Sequence, residues 1–370
     1  MFLITVVGAR PQFIKAAAVS RAMSATQGTR QPIRELILHT GQHYDEAMSA
    51  RFFSELGMAL PAFQLGIGGG SHGANTGRML EAIEAVLQAE CPDAVLVYGD
   101  TDSTLAGALA ASKLMIPVLH VEAGLRSFNR QQPEEQNRVL TDHLAELCFA
   151  PTPTAVGHLE REGIAPERIV RCGDVMADVA RIFGDQAEAQ ATDLLEPLAL
   201  PPGPFILATL HRAENTNAPQ RLGTILNALA AAPLPVLLPL HPRTRACIHR
   251  HGLDPLLEAM VVREPQGFLT MLLLERRAAL VVTDSGGVQK EAYLQGTPCV
   301  TVRRETEWVE LLSCGWNRLA DPADPTAMLQ AFAQQLAFDL GQPRPSLYGD
   351  GYASEAIVAH LQGRSWGNTI

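Results

Sequence analysis

Short apolar runs alternate with longer amphipathic stretches along the whole chain of 370 residues. In the first half, strands are predicted at LITVV (3–7), ELILH (35–39), AVLVY (94–98) and PVLHV (117–121), with helices between them, the first from Pro11. The second half repeats this order at FILAT (205–209), PVLL (235–238), LVVT (280–283) and PCVTV (298–302). Continuous apolar strands separated by helices indicate parallel sheets covered on both faces. The sequence therefore predicts an α/β protein with two doubly wound, Rossmann-like domains.

The length of the chain exceeds what one hydrophobic core usually serves. We expect a first domain over 1–172, joined by a C-terminal helix over 352–370, and a second domain over 173–351. The longest apolar stretch, 228–240, is interrupted by prolines and is too short to cross a membrane. The apolar N-terminus lacks the basic and cleavage regions of a signal peptide. A cytoplasmic protein without membrane association is therefore expected.

The net charge and the cysteines indicate which ligands, metals and disulfides the chain is expected to have. A net charge of -10 argues against nucleic acid, although a local cluster of cations can still bind a small anion. The six cysteines are widely spaced and mostly lie in apolar runs. This spacing predicts buried free thiols in a reducing compartment, rather than disulfides or a zinc site. Neither a metal nor a cofactor is predicted.

Polar clusters follow six of the predicted strands. They are GARPQ (8–12), TGQH (40–43), GDTDST (99–104), EAGLR (122–126), HRAEN (211–215) and DSGG (284–287). Because parallel sheets bind ligands at the carboxyl ends of their strands, we expect a two-sided active-site cleft between the domains.

The DSGG cluster opens a predicted helix directly after a strand. Gly286 and Gly287 allow a close backbone approach, and the helix N-terminus after Ser285 offers N–H groups and a positive dipole to a diphosphate. Glu291, one turn further, is a candidate for the ribose hydroxyls. A serine cap with glycines for a tight turn explains the motif equally well.

Three acidic positions are candidates for proton transfer. Asp100 and Glu122 end successive strands, so their side chains can converge at one sheet edge. Glu134 begins a helix and shares a face with Arg138 at the i, i+4 spacing. The alternatives are an ordinary helix cap at Asp100 and a surface ion pair between Glu134 and Arg138.

Cationic groups complete the candidate set. His211 and Arg212 at a strand end can contact phosphate oxygens, or can belong to an ordinary loop. Arg10 and Lys15 flank the first helix start, although a lysine there is more often solvated. The stretch 68–73 matches G-x-G-x-x-G, but no convincing strand precedes it, so a dinucleotide site is not predicted. The spacing of His39 with His43 and of His249 with His251 does not predict a metal site.

These motifs, in this order, resemble the non-hydrolysing UDP-N-acetylglucosamine 2-epimerase family over nearly the full length. The matching segments are GARPQFIK (8–15), TGQH (40–43), GDT (99–101), HVEAGLR (120–126), PEEQNR (133–138), HRAEN (211–215) and DSGGVQKE (284–291).

The resemblance implies a GT-B glycosyltransferase-like homodimer and a cofactor-free isomerase. The family reaction eliminates UDP as a base removes the C2 proton, and then adds UDP back to the glycal with C2 inverted. Position by position, the resemblance implies acid/base roles for Asp100, Glu122 and Glu134, which Arg138 would orient. Glu291 would bind the ribose. The residues implied to contact the diphosphate are His211, Arg10, Lys15, Ser285, Gly286 and Gly287.

Departures from the common pattern bear on the substrate. In TEWVE (306–310), Trp308 replaces an arginine expected near the diphosphate. The loop 68–80 and residues 44–46 also differ from the common pattern of the family. These differences argue against the family's second, regulatory UDP-sugar site. These two segments, together with residues 127–129, resemble the corresponding segments of one subgroup of the family. That subgroup acts on UDP-2,3-diacetamido-2,3-dideoxyglucuronic acid in O-antigen synthesis. UDP-N-acetylglucosamine or its manno epimer stays open as substrate, as do a GT-B glycosyltransferase and a non-catalytic nucleotide-sugar-binding protein.

Overall fold

A computed structural model describes residues 1–42, 53 and 55–364. The chain forms two compact units, one made of Met1–Ile182 with the chain from Ser346 onward, the other of Phe183–Pro345. Each unit contains one parallel sheet with helices, so the predicted α/β class is confirmed. His43 and residues 44–46, singled out in the sequence, lie outside the described residues.

The sheet of the first unit has seven strands in the order β3-β2-β1-β4-β5-β6-β7. The strands are β1 Phe2–Val7, β2 Arg34–His39, β3 Phe63–Gln64, β4 Ala94–Tyr98, β5 Val118–Val121, β6 Leu147–Ala150 and β7 Ile169–Arg171. The helices are Arg10–Ser24, His72–Glu90, Asp102–Lys113, Pro133–Leu144, Pro153–Arg161 and Ala353–Gln362, with a 3-10 turn at Pro166–Arg168. The winding reverses between β1 and β4, which is where such sheets bind ligands.

The sheet of the second unit has six strands in the order β10-β9-β8-β11-β12-β13. The strands are β8 Ile206–Thr209, β9 Val236–Pro239, β10 Val261–Arg263, β11 Leu280–Thr283, β12 Cys299–Thr301 and β13 Asn317–Leu319. The helices are Ala191–Leu195, Ala213–Thr216, Pro219–Ala230, Pro242–Arg250, Phe268–Arg277, Gly286–Gln295, Val309–Ser313 and Pro325–Leu336, with 3-10 turns at Glu196–Leu198 and Asp254–Ala259. Here the winding reverses between β8 and β11.

Alternate residues of the second sheet enter different hydrophobic clusters. Ile206 and Ala208 of β8 pack in one cluster, and Leu207 between them packs in another. Successive side chains of a strand point to opposite faces. Both faces are therefore covered, which explains why these strands are continuous apolar runs in the sequence.

The helix Val175–Ala189 carries the chain from the first unit into the second. Near its start, the buried carboxylate of Asp178 accepts hydrogen bonds from the N–H groups of Ala353 (3.0 Å) and Ser354 (2.7 Å). These bonds tie the helix Ala353–Gln362 to the first unit. The units therefore divide after Ile182 and before Ser346, whereas the predicted boundaries are at 172 and 351.

Two further expectations need correction. A two-residue edge strand, β3, does precede the glycine-rich stretch 68–73, where no strand was predicted. Cys91 is exposed rather than buried, although all six cysteines are free. Burial raises the pKa of Cys172 and Cys299 to about 12. None of the helices in the described part of the chain has the length and apolar character that a bilayer crossing requires.

Candidate active site

Asp100 and Glu122 follow two neighbouring strands of the first unit. Strands β4 and β5 are paired up to Tyr98 and Val121, and the N–H of Gly99 donates to the carbonyl of Val121 at 3.0 Å. The turns that carry the two acids therefore begin side by side at the carboxyl edge of the sheet.

Glu122 forms an ion pair with Lys15 of the first helix. Their side chains are only 7% and 13% exposed. A Cβ atom on Gly99 would lie 3.3 Å from Glu122 Oε2 and 3.4 Å from Lys15 Nζ, so the Gly99 turn lies directly against this pair. The sequence predicted Lys15 as a nucleotide contact, but the structure places its ammonium group on Glu122.

The backbone of Glu122 is left-handed, with φ = +72°. This conformation costs a non-glycine residue about 1–2 kcal/mol. It is held by the carbonyl of Phe149, which accepts from the N–H groups of both Glu122 and Ala123 at 3.1 Å. Backbone strain of this kind concentrates at functional sites.

Arg138 links Asp100 to a second carboxylate. Its Nη2 pairs with Asp100, and its Nη1 lies 3.0 Å from Glu135 Oε2. The side chain of Asn137 donates to the carbonyl oxygen of Asp100 at 2.9 Å. The Asp100 side chain keeps 30% of its surface exposed, so a ligand can reach it while the buried arginine fixes its orientation.

Arg138 pairs with Glu135 of its own helix, whereas the alternative considered for the i, i+4 spacing was a surface pair with Glu134. Glu134 is exposed on the open first turn of the helix, whereas Glu135 is buried and pairs with Arg138 at the i, i+3 spacing. Glu135 also accepts from the N–H groups of Ser127 (2.8 Å) and Phe128 (3.0 Å). Glu135 was singled out together with Glu134 but was given no role of its own, and its place beside Arg138 and the Ser127 turn was not predicted.

Gln12 fixes the ends of β1 and β4 around the candidate acids. Its Oε1 accepts from the N–H of Gly8 at 2.8 Å, and its Nε2 donates to the carbonyl of Tyr98 at 2.8 Å. Arg10 stands half-buried at the start of the same helix. This network of hydrogen bonds explains why the GARPQ motif follows β1.

A buried group of charges lies behind the two acidic turns. His120 of β5 bonds to Asp142 through Nδ1 (2.6 Å) and to the carbonyl of Gly99 through Nε2 (2.7 Å). Asp142 also accepts from the N–H of Gly124 at 3.1 Å and pairs with Arg126 at 2.8 Å. Burial alone would raise the pKa of Asp142, but the charges and hydrogen bonds of His120 and Arg126 outweigh it and hold this pKa below its usual value.

In the second unit, the buried Asp284 organises the turn after β8. Its carboxylate accepts from the N–H groups of His211 and Arg212, each at 3.1 Å, and from the Asn215 side chain at 3.1 Å. His211 Nδ1 lies 3.4 Å from the same carboxylate, and the ring is 49% exposed. Asp284 therefore brings His211 next to Ser285, the residue that follows it.

The helix Gly286–Gln295 begins at this point, and Ser285 caps it by accepting from the N–H of Val288 at 3.4 Å. A Cβ atom on Gly286 would overlap the carboxylate of Glu307, and one on Gly287 would lie 4.0 Å from Glu291 Oε1. The predicted residues Ser285, Gly286, Gly287 and Glu291 are thus gathered at one helix N-terminus, the geometry that binds phosphate groups.

Trp308, which stands where an arginine was expected, is buried. Lys290 is also buried, and its Nζ lies 4.1 Å from the centre of the Trp308 ring. A desolvated cation over an indole is worth roughly 2 kcal/mol. Gln289 accepts from the hydroxyl of Thr306 at 2.7 Å and so fixes the loop before Trp308. The tryptophan therefore has a structural partner on the helix Gly286–Gln295.

Among residues 1–42, 53 and 55–364, no group of three or more His, Cys, Asp and Glu side chains is arranged to hold a metal ion. Asp100, Glu122, Glu135 and Asp142 pair with arginine, lysine or histidine side chains instead.

The sequence profile of the family described as UDP-N-acetylglucosamine 2-epimerase matches residues 26–362. The chain belongs to this family. It is 50% identical to the UDP-2,3-diacetamido-2,3-dideoxy-D-glucuronate 2-epimerase of Pseudomonas aeruginosa, with 98% of this chain and 99% of that protein covered. It is 40% identical to the UDP-N-acetylglucosamine 2-epimerase of Methanocaldococcus jannaschii, with 98% and 99% covered.

Solved structures of family members have the same fold. The Methanocaldococcus jannaschii epimerase in complex with UDP-GlcNAc and UDP has a TM-score of 0.91 at 39% identity, covering 98% of this chain and all of that one. The Neisseria meningitidis epimerase bound to UDP-GlcNAc has a TM-score of 0.88 at 29% identity, with the same coverage. The protein is thus a GT-B-like isomerase of the UDP-sugar 2-epimerase family, as its motifs predicted.

Proposed function

We propose that this epimerase inverts C2 of UDP-2,3-diacetamido-2,3-dideoxyglucuronate for the synthesis of a cell-surface polysaccharide. The relative that carries this substrate in its name is 50% identical over 98% of the chain. Two archaeal relatives named for UDP-N-acetylglucosamine are 40% and 41% identical over a similar length, and a third, described as a homolog of that epimerase, is 48% identical over 86% of the chain. Homodimeric assembly and a cytoplasmic location belong to the same proposal.

The reaction we propose is elimination followed by re-addition. A base takes the C2 proton while the C1–O bond breaks, and UDP leaves with the electron pair as the C1–C2 double bond of a glycal forms. UDP then adds back to C1, and a proton is delivered to the other face of C2. Neither step transfers a hydride, so this route requires no nicotinamide.

One observation carries the assignment of this chemistry to the first unit. Asp100 and Glu122 stand at the ends of adjoining strands, each paired with its own cation, Arg138 and Lys15. Positioned acids and bases typically contribute about 10²–10⁴-fold each. We assign proton transfer to Asp100 and Glu122, together with the exposed Glu134, and an orienting role to Arg138.

Nucleotide recognition falls mainly to the second unit in this proposal. The N-terminus of the helix after Ser285, with Gly286 and Gly287, is assigned to the diphosphate, together with His211. Glu291 is assigned to the ribose and Arg10 to the phosphates. Backbone N–H groups and a helix dipole favour the charge that develops on departing UDP, which makes it a better leaving group.

Solvent deuterium exchange tests the proposal. The protein is incubated in heavy water, without an acceptor, with the diacetamido-uronate or with UDP-N-acetylglucosamine, and deuterium at C2 is measured. We expect exchange with both sugars and the higher kcat/KM for the diacetamido-uronate. A higher value for UDP-N-acetylglucosamine would overturn the substrate assignment. Sugar transfer to an added acceptor without exchange would indicate a glycosyltransferase, and binding without either would indicate a binding protein.

The variant Glu122→Gln separates chemistry from binding. It is expected to abolish exchange and leave UDP affinity unchanged, because the carboxylate is assigned to proton transfer and not to the nucleotide. Glu81→Gln, at an exposed position of the helix His72–Glu90, is the matched control and should behave as wild type. Loss of UDP affinity in Glu122→Gln would assign Glu122 a structural role instead.

A further inference from the structure

We propose that His120 and Asp142 form a buried positioning pair that sets both acidic turns of the active site. Neither residue has an assigned role in the reaction above. The inference rests on the proposed function, because it concerns the placement of the groups to which we assign proton transfer.

The hydrogen-bond partners of His120 fix its protons. The ring is completely buried, so water does not replace either partner. The carbonyl oxygen of Gly99 only accepts, so Nε2 carries a proton. An ionised Asp142 also only accepts, so Nδ1 carries the other proton. The ring is therefore an imidazolium cation that donates to a carboxylate on one side and to the Gly99 turn on the other.

Asp142 reaches the second acidic turn directly. One of its oxygens accepts from His120, and the other accepts from the N–H of Gly124 at 3.1 Å. Gly124 lies two residues after Glu122, within the turn whose backbone is strained at Glu122. A single carboxylate thus holds the Gly99 turn through the histidine and the Glu122 turn through the backbone.

The same carboxylate lies on the helix that carries Arg138. Asp142 and Arg138 are four residues apart in the helix Pro133–Leu144, so they share a face. Arg138 pairs with Asp100, which directly follows Gly99. The helix is therefore connected to the Asp100 turn at two points, by Arg138 to the side chain and by Asp142 through His120 to the backbone.

The electrostatics account for a histidine at this position. A buried carboxylate is costly unless it is paired and hydrogen-bonded. Asp142 is paired with His120 and with Arg126, and Arg126 in turn forms a two-pronged pair with Glu162 at 2.7 and 2.6 Å. Positive and negative side chains therefore alternate from His120 through Asp142 and Arg126 to Glu162. A neutral side chain at position 120 would leave Asp142 with one cation fewer.

The first test is spectroscopic and does not depend on activity. The protein is labelled with 15N-histidine, and the His120 signal is assigned by its absence from His120→Gln. We expect wild type to show both ring nitrogens protonated at neutral pH, with slowly exchanging N–H groups because the ring is buried. In Asp142→Asn the ring should become neutral. A neutral His120 ring in wild type would overturn the proposal.

The second test is kinetic and uses the deuterium exchange described above. Loss of the pair should shift both acidic turns, and a misplacement of about 1 Å costs roughly 10²-fold in rate. Asp142→Asn should therefore lower kcat by about that factor, with KM and UDP affinity unchanged. His120→Gln, which can still donate to the Gly99 carbonyl, should retain more activity than His120→Ala.

His158→Gln is the matched control. Its Nδ1 bonds to the carbonyl of Gly124 at 2.9 Å, so it contacts the same turn without touching Asp142 or Gly99. This variant should exchange at the wild-type rate. An equal loss of UDP affinity and kcat in Asp142→Asn, or an equal loss in His158→Gln, would refute a positioning role. If wild type exchanges no deuterium, the proposed function fails, whereas the 15N spectrum still tests the pair.

Discussion

Gly99→Ala tests whether the backbone of the Gly99 turn determines the geometry of the proposed acid/base site. Gly99 has φ = +63°, a conformation that costs alanine about 1–2 kcal/mol. The added methyl group would also lie 3.3 Å from Glu122 Oε2 and 3.4 Å from Lys15 Nζ. Because both side chains are nearly buried, they must move by a few tenths of an ångström to admit it.

Gly28→Ala provides the matched control. Gly28 has φ = +84°, and nothing lies within 4 Å of the position that its Cβ would take. It therefore carries the same backbone penalty without any contact to the site. For a domain of about 150–250 residues, each kcal/mol lowers Tm by about 2–4 °C, so both variants should lose roughly 2–8 °C.

Activity should separate the two variants. We expect Gly28→Ala to exchange deuterium at the wild-type rate and Gly99→Ala to lose roughly tenfold or more, since small displacements of reacting groups are costly. Scanning calorimetry and the exchange assay measure the two effects on the same samples. Wild-type exchange in Gly99→Ala would show that the Glu122–Lys15 pair tolerates displacement, and the reasoning would be wrong.

Two further predictions concern stability. Met115 is 85% exposed at φ = +57°, so Met115→Gly should relieve more backbone strain than the added glycine costs and stabilise the protein by about 0.5–1 kcal/mol; an unchanged or lower Tm would contradict this. The pKa of Asp142 is lowered in the folded protein, so its stabilisation is complete above its unfolded pKa of about 3.9 and is lost as pH falls through the lower folded value. The free energy of unfolding, measured with urea below about pH 4, should accordingly depend less on pH in Asp142→Asn than in wild type. The same slope of this free energy against pH in both proteins would refute the assignment.

The sequence predicted the elements of this fold well because their signals are local. Continuous apolar runs became buried strands, and Pro11 and Pro133 lie in the first turns of helices, as expected. The motif at Ser285 also opens a helix directly after a strand. Each of these features depends on a few neighbouring residues.

Side-chain partners were less predictable because tertiary contacts decide them. Both Glu134 and Glu135 lie within reach of Arg138 along the helix, and only packing determines that Glu135 turns inward. Lys15 was expected to contact the nucleotide, but its ammonium group forms an ion pair with Glu122, which is far away in sequence. His120 belonged to a recognised motif, yet its partner Asp142 lies in a segment that no motif singled out.

The chain leaves the first unit after Ile182 and returns to it at Ser346, and the helix Ala353–Gln362 is anchored on Asp178. During synthesis the second unit emerges as one uninterrupted stretch, whereas the first must wait for its last helix. At about 5–20 residues per second the delay is on the order of ten to thirty seconds. The first unit, to which we assign proton transfer, is therefore the later of the two to be complete.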